Sequence, residues 1–371
     1  MAAGPHELAL TNEPVLEALT HQLRAGGALS ADQVTAAVTW LVEEHNPTEL
    51  KAAFLTSLAQ KGETAEEIAA FVRALRGKSI PPPLDATTRA RDILDVCGTG
   101  GDQLGTFNIS TTVSLVVAAA GITVAKHGNR AITSRAGSAD VLEALGVPVD
   151  LEPAQAAQAL RDHGFAFFFA PKYHPAFRHL AAARKLCAER GQRTIFNFLG
   201  PLLNPAPLTV QLVGVPRPEL CEPMARVLQS LGLRRGLVAC GSLESGAPGA
   251  SPPRSTPRYL DELSTLGATT IAEFYQDRGF NVSPWQAAPG TWQAATVADL
   301  AGGDRATNAA IIRRILEGAE RGPKRDAVLL NAGAALLVAG TVRSIGEGAE
   351  QAAELIDRGL AQAKLTELIR R

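Results

Sequence analysis

Neither sign of charge is in surplus in this chain: 36 lysines and arginines face 37 aspartates and glutamates among 371 residues. Such a balance argues against broad adhesion to nucleic acid or an anionic membrane, and leaves room only for a local basic pocket. Cysteine is also scarce. Cys97, Cys187, Cys221 and Cys240 form no C-x-x-C pair and have no histidine at ligand spacing, so neither zinc nor a disulfide framework is indicated. They read as buried small hydrophobes of a reducing compartment. Long apolar runs are missing too: residues 113–125 and 329–340 are too short and too rich in glycine and alanine to span a bilayer. Residues 1–7 lack a basic segment leading into an apolar core. The expectation is a cytoplasmic protein without a membrane or nucleic-acid partner.

What the chain does have is material for a large core. Apolar residues make up 46% and charged residues 20%, which excludes a disordered chain and suffices for two domains. The first eighty residues read as helices alone. Ser30-Ala31-Asp32-Gln33 and Thr64-Ala65-Glu66-Glu67 are capping boxes, and Leu50, Phe54, Leu55 and Leu58 recur at helical spacing, as do Ile68, Phe71, Val72 and Leu75. Pro81-Pro82-Pro83 closes that segment. From residue 92 short β-branched or aromatic runs (93–96, 122–125, 165–169, 210–215, 237–240) alternate with helical stretches, which predicts a largely parallel sheet flanked by helices. Phe165-Ala166-Phe167-Phe168-Phe169 has no polar face and reads as a central buried strand. Residues 304–370 return to helices, with small residues in Asn331-Ala332-Gly333-Ala334-Ala335 for close packing. Gly, Ser and Pro dominate 241–253, the signature of a surface excursion.

Five clusters carry chemistry. Strand-like Ile93-Leu94-Asp95-Val96-Cys97 runs into Gly98-Thr99-Gly100-Gly101-Asp102, a turn whose N–H groups beside a helix N-terminus form a cradle for phosphate oxygens. Glycine turns also merely reverse chains, so the neighbours decide. Asn108-Ile109-Ser110-Thr111-Thr112 opens the next helix with hydroxyls and an amide, suited to an ordinary N-cap or to phosphate, ribose and a magnesium shell. Residues 126–138 then place Lys126, Arg130 and Arg135 with glycines and hydroxyls at the carboxyl end of a strand, where open parallel sheets bind ligands. Their guanidinium groups can fork onto phosphate, the alternative being a solvated basic loop. His127 alone reads as structural and is not assigned as a general base.

Arg178 and Lys185 stand seven apart on one expected helix face, with Arg184 beside them. They suit a surface charge run, or one arginine receiving a carboxylate in a partly dry site. Asp261-Glu262 is either an exposed acidic pair or a holder of Mg2+, which takes one or two carboxylates plus phosphate oxygens.

Taken together, Gly98-Thr99-Gly100-Gly101-Asp102, Asn108-Ile109-Ser110-Thr111 and Lys126-His127-Gly128-Asn129-Arg130 resemble the anthranilate phosphoribosyltransferase family of tryptophan biosynthesis. The resemblance runs from Lys61-Gly62-Glu63-Thr64 through Ser138-Ala139-Asp140-Val141-Leu142-Glu143-Ala144-Leu145-Gly146. It continues through Arg193-Thr194-Ile195-Phe196-Asn197 and Gly200-Pro201-Leu202-Leu203-Asn204-Pro205 to Asp261-Glu262-Leu263-Ser264. It implies an α/β fold class: a small all-helical N-terminal domain (1–83, with a helix near 172–190 returning to it) hinged to a larger α/β domain with a mostly parallel central sheet (84–371 less that helix). A homodimer through the helical domain is implied as well.

The resemblance further implies phosphoribosyl pyrophosphate at Gly98, Gly101, Asp102, Thr106, Asn108, Ile109, Ser110 and Thr111, and at Lys126, His127, Gly128, Asn129, Arg130, Ala131, Ile132, Thr133, Ser134 and Ser138. Anthranilate falls to Gly98, Asn129 and Arg184, and Mg2+, the implied cofactor, to Ser110, Asp261 and Glu262. Lys126 acts electrostatically, and no side chain is required as acid or base. Gln103 departs from the family's usual glycine, Thr133 from its serine, and both the 185–193 connection and the 241–258 excursion are longer than usual. Two other readings belong to the same fold: a pyrimidine nucleoside phosphorylase, whose lysine motif continues with Ser/Thr instead of Gly128-Asn129-Arg130, and a non-catalytic nucleic-acid-binding homologue.

Overall fold

The β-branched and aromatic runs form a sheet whose first five strands are parallel: β1 (Ile93–Gly98), β2 (Thr123–Gly128), β3 (Phe165–Phe169), β4 (Val210–Gly214) and β5 (Arg235–Ser242). The structure is a computed structural model and describes residues 13–131, 135–243, 259–276, 279–288 and 290–370. The excursion expected at 241–258 therefore lies outside the described residues from 244 onward.

Period-two alternation sends neighbouring side chains to opposite faces of the sheet. Leu94, Val96, Val124, Phe165 and Phe167 join one large core with the helices Ile109–Ala119 and Pro323–Ala339, while Ile93, Ala125, Ala166 and Phe168 join a second core around Leu160 and Tyr173. Both faces are thus covered, as parallel strands require.

Two features depart from the sequence expectation. The strand order is β3-β2-β1-β4-β5-β7-β8, so the all-phenylalanine strand β3 lies at one end of the sheet and not at its centre. Its apolarity comes from helices on both faces, which bury Phe165, Phe167 and Phe168 completely. Beyond β5 the sheet turns antiparallel, through β6 (Tyr259–Leu260), β7 (Thr269–Tyr275) and β8 (Gly279–Trp285). Strand β8 is mostly exposed, with Pro284 in it, so it carries no hydrophobic run for a sequence reading to find.

The chain divides into two compact units, one of residues up to 79 with 174–199 and one of residues 80–173 with 200–371. The first is helical: Glu13–Arg24, Ala31–Leu41, Thr48–Lys61, Ala65–Arg76 and Ala181–Glu189, with 3-10 turns at Pro175–Leu180 and Ile195–Asn197. Both capping boxes close reciprocally, Ser30 with Gln33 and Thr64 with Glu67. Arg178 and Lys185 do not share one helix face, because the 3-10 turn ends at Leu180 and the α-helix starts only at Ala181. The second unit is the α/β unit built on the sheet. No helix among the described residues is long and apolar enough to cross a membrane.

Candidate active site

Strand β1 stops at Gly98, and the chain turns through Gly100 and Gln103 with φ of +72° and +58°. Gln103 is the one non-glycine residue with positive φ among the described residues. The left-handed region disfavours a Cβ by about 1 kcal/mol or more, so the turn is held from outside. Phe107 N–H donates to Leu300 O at 3.0 Å, Gly302 N–H donates to Gly105 O at 2.9 Å, and Thr106 bridges to Ala301. Asn108 stands at the N-cap of Ile109–Ala119 without a side-chain capping bond. Its Oδ1 instead accepts from Asn308 Nδ2 at 2.9 Å, leaving the first helical turn to other partners.

One of those partners is the acidic pair. Asp261 and Glu262 are buried, 7% and 8% exposed, so they are not a solvated surface pair. The Gly100 N–H donates to Asp261 Oδ2 at 2.5 Å, and the Ser110 N–H faces the Glu262 carboxylate. Asp102 Oδ1 accepts from Leu104 N–H at 3.1 Å, and its Oδ2 accepts from Asp261 N–H at 3.4 Å. Three carboxylates therefore meet beside the glycine turn. The approach of the acidic loop depends on Gly214 at the end of β4: a Cβ there would lie 1.5 Å from Asp261 O.

Burial raises the Asp261 carboxyl well above the usual range, helped by the charges of Asp102 and Glu262. Glu262 is pushed up to about 8, first by burial, with Lys126 opposing and Asp102 adding to the rise. The donors gathered here are all hard oxygens, those of three carboxylates. Among the described residues no group of three or more His, Cys, Asp or Glu could by itself hold a metal ion. This combination fits Mg2+ better than metals bound in all-protein cages, since Mg2+ takes one or two carboxylates together with substrate phosphates.

Lys126 comes off β2 and is buried at 2% exposure, its Nζ donating to Val96 O at 2.7 Å. Its charge is felt by both Glu262 and Asp95. Asp95, on β1, is fully buried, and its Oδ2 accepts from Asn204 Nδ2 at 3.0 Å. Gly128 is half-buried and ends β2 beside buried His127, while Asn129 and Arg130 are exposed. Arg130 forks onto Glu143 (Nη1 at 2.9 Å, Nη2 at 3.1 Å) and also reaches Asp140. Asp140 Oδ2 accepts from both Ala131 N–H and Gly137 N–H at 2.9 Å, which closes the loop against Ser138 and the helix it opens. Ile132, Thr133 and Ser134 lie outside the described residues. Thr111 is buried in the helix Ile109–Ala119.

Arg184 belongs to the helical unit, where its guanidinium lies 5.2 Å from the centre of the Phe196 ring. Burial lowers its pKa. This half-buried arginine, stacked on an aromatic ring, differs from the exposed Lys185, which reaches the Glu189 carboxylate at 3.8 Å.

Sequence reasoning misses Asp95, Asn204, Asn308 and Asn331. In the sequence Asn331 is only part of a small-residue stretch, yet its side chain bonds the backbone of Leu263, next to the acidic pair. A lone amide in the apolar run Val328-Leu329-Leu330-Asn331-Ala332 is the available signal. A shallow depression of about 680 Å³ lined by His163, Gln362, Glu367 and Arg370 includes none of the residues above.

Residues 90–252 and 255–362 match the family model described as glycosyl transferase family, a/b domain, and residues 17–79 match that of the glycosyl transferase family, helical bundle domain. The chain is 45% identical over 347 residues to an anthranilate phosphoribosyltransferase of Thermomicrobium roseum, covering 93% of each chain. It is 47% identical over 328 residues to that of Geobacter sulfurreducens, covering 86% of this chain and 88% of the relative. Among solved structures, the anthranilate phosphoribosyltransferase of Thermus thermophilus superposes with a TM-score of 0.80 at 38% identity, covering 95% of this chain and 98% of the other. The Saccharomyces cerevisiae enzyme in complex with PRPP and Mg superposes with a TM-score of 0.80 at 25% identity, covering 96% and 98%.

Proposed function

The chain belongs to the anthranilate phosphoribosyltransferase family, and from that premise we infer how its residues divide the work. It transfers the phosphoribosyl group of phosphoribosyl pyrophosphate to the amine of anthranilate, giving N-(5-phosphoribosyl)anthranilate and pyrophosphate. The nucleoside phosphorylase and nucleic-acid-binding readings are not favoured, since the relatives at 45% and 47% identity carry this activity in their names.

The residue roles are our proposal. The observation that carries them is the Gly100 N–H bonded to Asp261 beside the glycine turn, with buried Glu262 next to it. Main-chain amides of 98–111 hold the phosphates, and Ser110, Asp261 and Glu262 would hold Mg2+. When bound, Mg2+ supplies positive charge to the departing pyrophosphate. Support for the metal comes from the all-oxygen donor set, and from the yeast relative solved with PRPP and Mg.

An aromatic amine carries a free lone pair at neutral pH, so the chain needs no strong base. The barrier lies in breaking the C1–O bond, which puts negative charge on the leaving group. Lys126 Nζ, with one of its three protons on Val96 O, and the N–H groups of the glycine turn meet that charge in a preorganised, poorly solvated place. Asn129, Gly128 and Ser138 are assigned to the ribose phosphate side. Arg130 reaches phosphate only by giving up part of its fork on Glu143.

Arg184 is assigned to the anthranilate carboxylate, supported by its half-buried guanidinium over Phe196, with Gly98 and Asn129 as further contacts. A homodimer through the helical unit and a cytoplasmic location complete the proposal. The test is direct. Anthranilate fluorescence should fall when purified protein is mixed with anthranilate, phosphoribosyl pyrophosphate and Mg2+, and thymidine phosphorolysis in its place would contradict the reading.

A further inference from the structure

Asn331 lies in the middle of the helix Pro323–Ala339 and is completely buried. Asparagine there disfavours the helix by about 0.5 kcal/mol relative to alanine, and a buried amide must be satisfied. It is satisfied by one residue above all. Its Oδ1 accepts from Leu263 N–H at 2.9 Å, and its Nδ2 donates to Leu263 O at 3.0 Å and to Ala327 O at 2.9 Å. A helix side chain thus takes both backbone groups of Leu263, as a neighbouring strand would. Leu263 has just left the two-residue strand β6, so its backbone groups have no sheet ladder to join.

Leu263 directly follows Glu262. Its backbone orientation constrains the chain just before it, from which Glu262 and Asp261, the latter on the Gly100 N–H, reach the glycine turn. On the other side, Asp261 O packs against Gly214 so closely that no Cβ fits. Held from the helix by Asn331 and from β4 by Gly214, the acidic pair has one position. The amide works by geometry alone: it has no charge, and its three hydrogen bonds all go to backbone groups.

We propose that Asn331 is a positioning residue, a clamp on the Leu263 backbone that holds Asp261 and Glu262 where a divalent cation and pyrophosphate are bound. The proposal rests on the assignment of the acidic pair to the metal given above. Packing alone would be served as well by alanine or leucine, as at the adjacent Leu330 and Ala332 of the same core.

The experiment is calorimetric titration of Mg2+ in the presence of inorganic pyrophosphate, with no turnover, on wild type and three variants. Asn331→Ala is expected to weaken binding by about tenfold or more, to leave KM for anthranilate within about twofold, and to accelerate amide exchange at Leu263. Val328→Ala, a cavity one turn away in the same helix that removes none of the three amide hydrogen bonds, is the control for general loosening, and Asp261→Asn is the control for the site itself. The proposal is overturned if Asn331→Ala binds like wild type, or is weakened no more than Val328→Ala. If Asp261→Asn also binds like wild type, it is the metal assignment that has failed. Should Asn331→Ala not fold, Asn331→Ser, which cannot span both Leu263 groups, is expected to show the same loss, and wild-type binding by it would overturn the clamp.

Discussion

The Asp261 carboxyl group accepts the Gly100 N–H at 2.5 Å, so a protein oxygen occupies a donor that the proposed phosphate site needs. A phosphate oxygen takes that donor only when the carboxyl group turns away from it, as a bound cation would make it do. Pyrophosphate alone is therefore expected to bind weakly, and Mg2+ to strengthen it by well over tenfold. Asp261→Asn cannot ionise to hold a cation and should therefore lose most of the Mg2+ enhancement while binding free pyrophosphate within about twofold of wild type. Calorimetry with and without chelator checks both expectations. Equal enhancement in the two proteins would show that the acidic pair does not serve the metal.

Gly214 permits the acidic loop to cross the end of β4. In Gly214→Ala the new Cβ would lie 1.5 Å from Asp261 O, so the loop must move. A destabilisation of about 3 kcal/mol is expected if the backbone yields only in part, together with a fall in kcat. Urea unfolding and steady-state rates measure these two effects. Wild-type values for both would mean that the loop position is not constrained there.

Asp95 ties stability to pH. Its folded-state pKa is raised from 3.8 to about 6, chiefly by burial, with Lys126 and the Asn204 amide opposing. Between those values the native chain holds a proton that the unfolded chain releases. The contribution is thus full below the unfolded pKa and is lost as pH rises through the folded one. Relative to Asp95→Asn, the wild type should lose about 2 kcal/mol between pH 4 and pH 7. Urea midpoints across that range read the difference, and parallel curves for the two proteins would refute it.

Arg184→Ala should raise KM for anthranilate by about tenfold or more, with little change in KM for phosphoribosyl pyrophosphate, because one charged hydrogen bond is lost. A rise confined to phosphoribosyl pyrophosphate would place the carboxylate elsewhere.

Much of the α/β core is legible in the sequence because parallel strands with both faces covered are largely apolar, and each of the five runs lies in such a strand. The same logic misleads for β3: helices Pro153–His163 and others bury it from both faces, so its composition imitates a central strand although it ends the sheet. Strands β7 and β8 are silent because an exposed antiparallel hairpin needs no apolar run. In the site, short-range signals are readable, such as glycines before a helix and a cation at a strand end. Side chains working across 68 or 109 residues of sequence, Asn331 on Leu263 and Asn204 on Asp95, leave only an isolated amide in the chain. Arg130 reads from its neighbours as a free phosphate fork, whereas Glu143 and Asp140 occupy it, both on the helix Ser138–Leu145.

The most direct measurement is a crystal structure of this chain with phosphoribosyl pyrophosphate and Mg2+. The account predicts pyrophosphate oxygens on the amides of residues 98–111, the cation on Asp261 or Glu262, and the Asp261–Gly100 hydrogen bond broken. Pyrophosphate bound away from these amides, with that hydrogen bond intact, would contradict it.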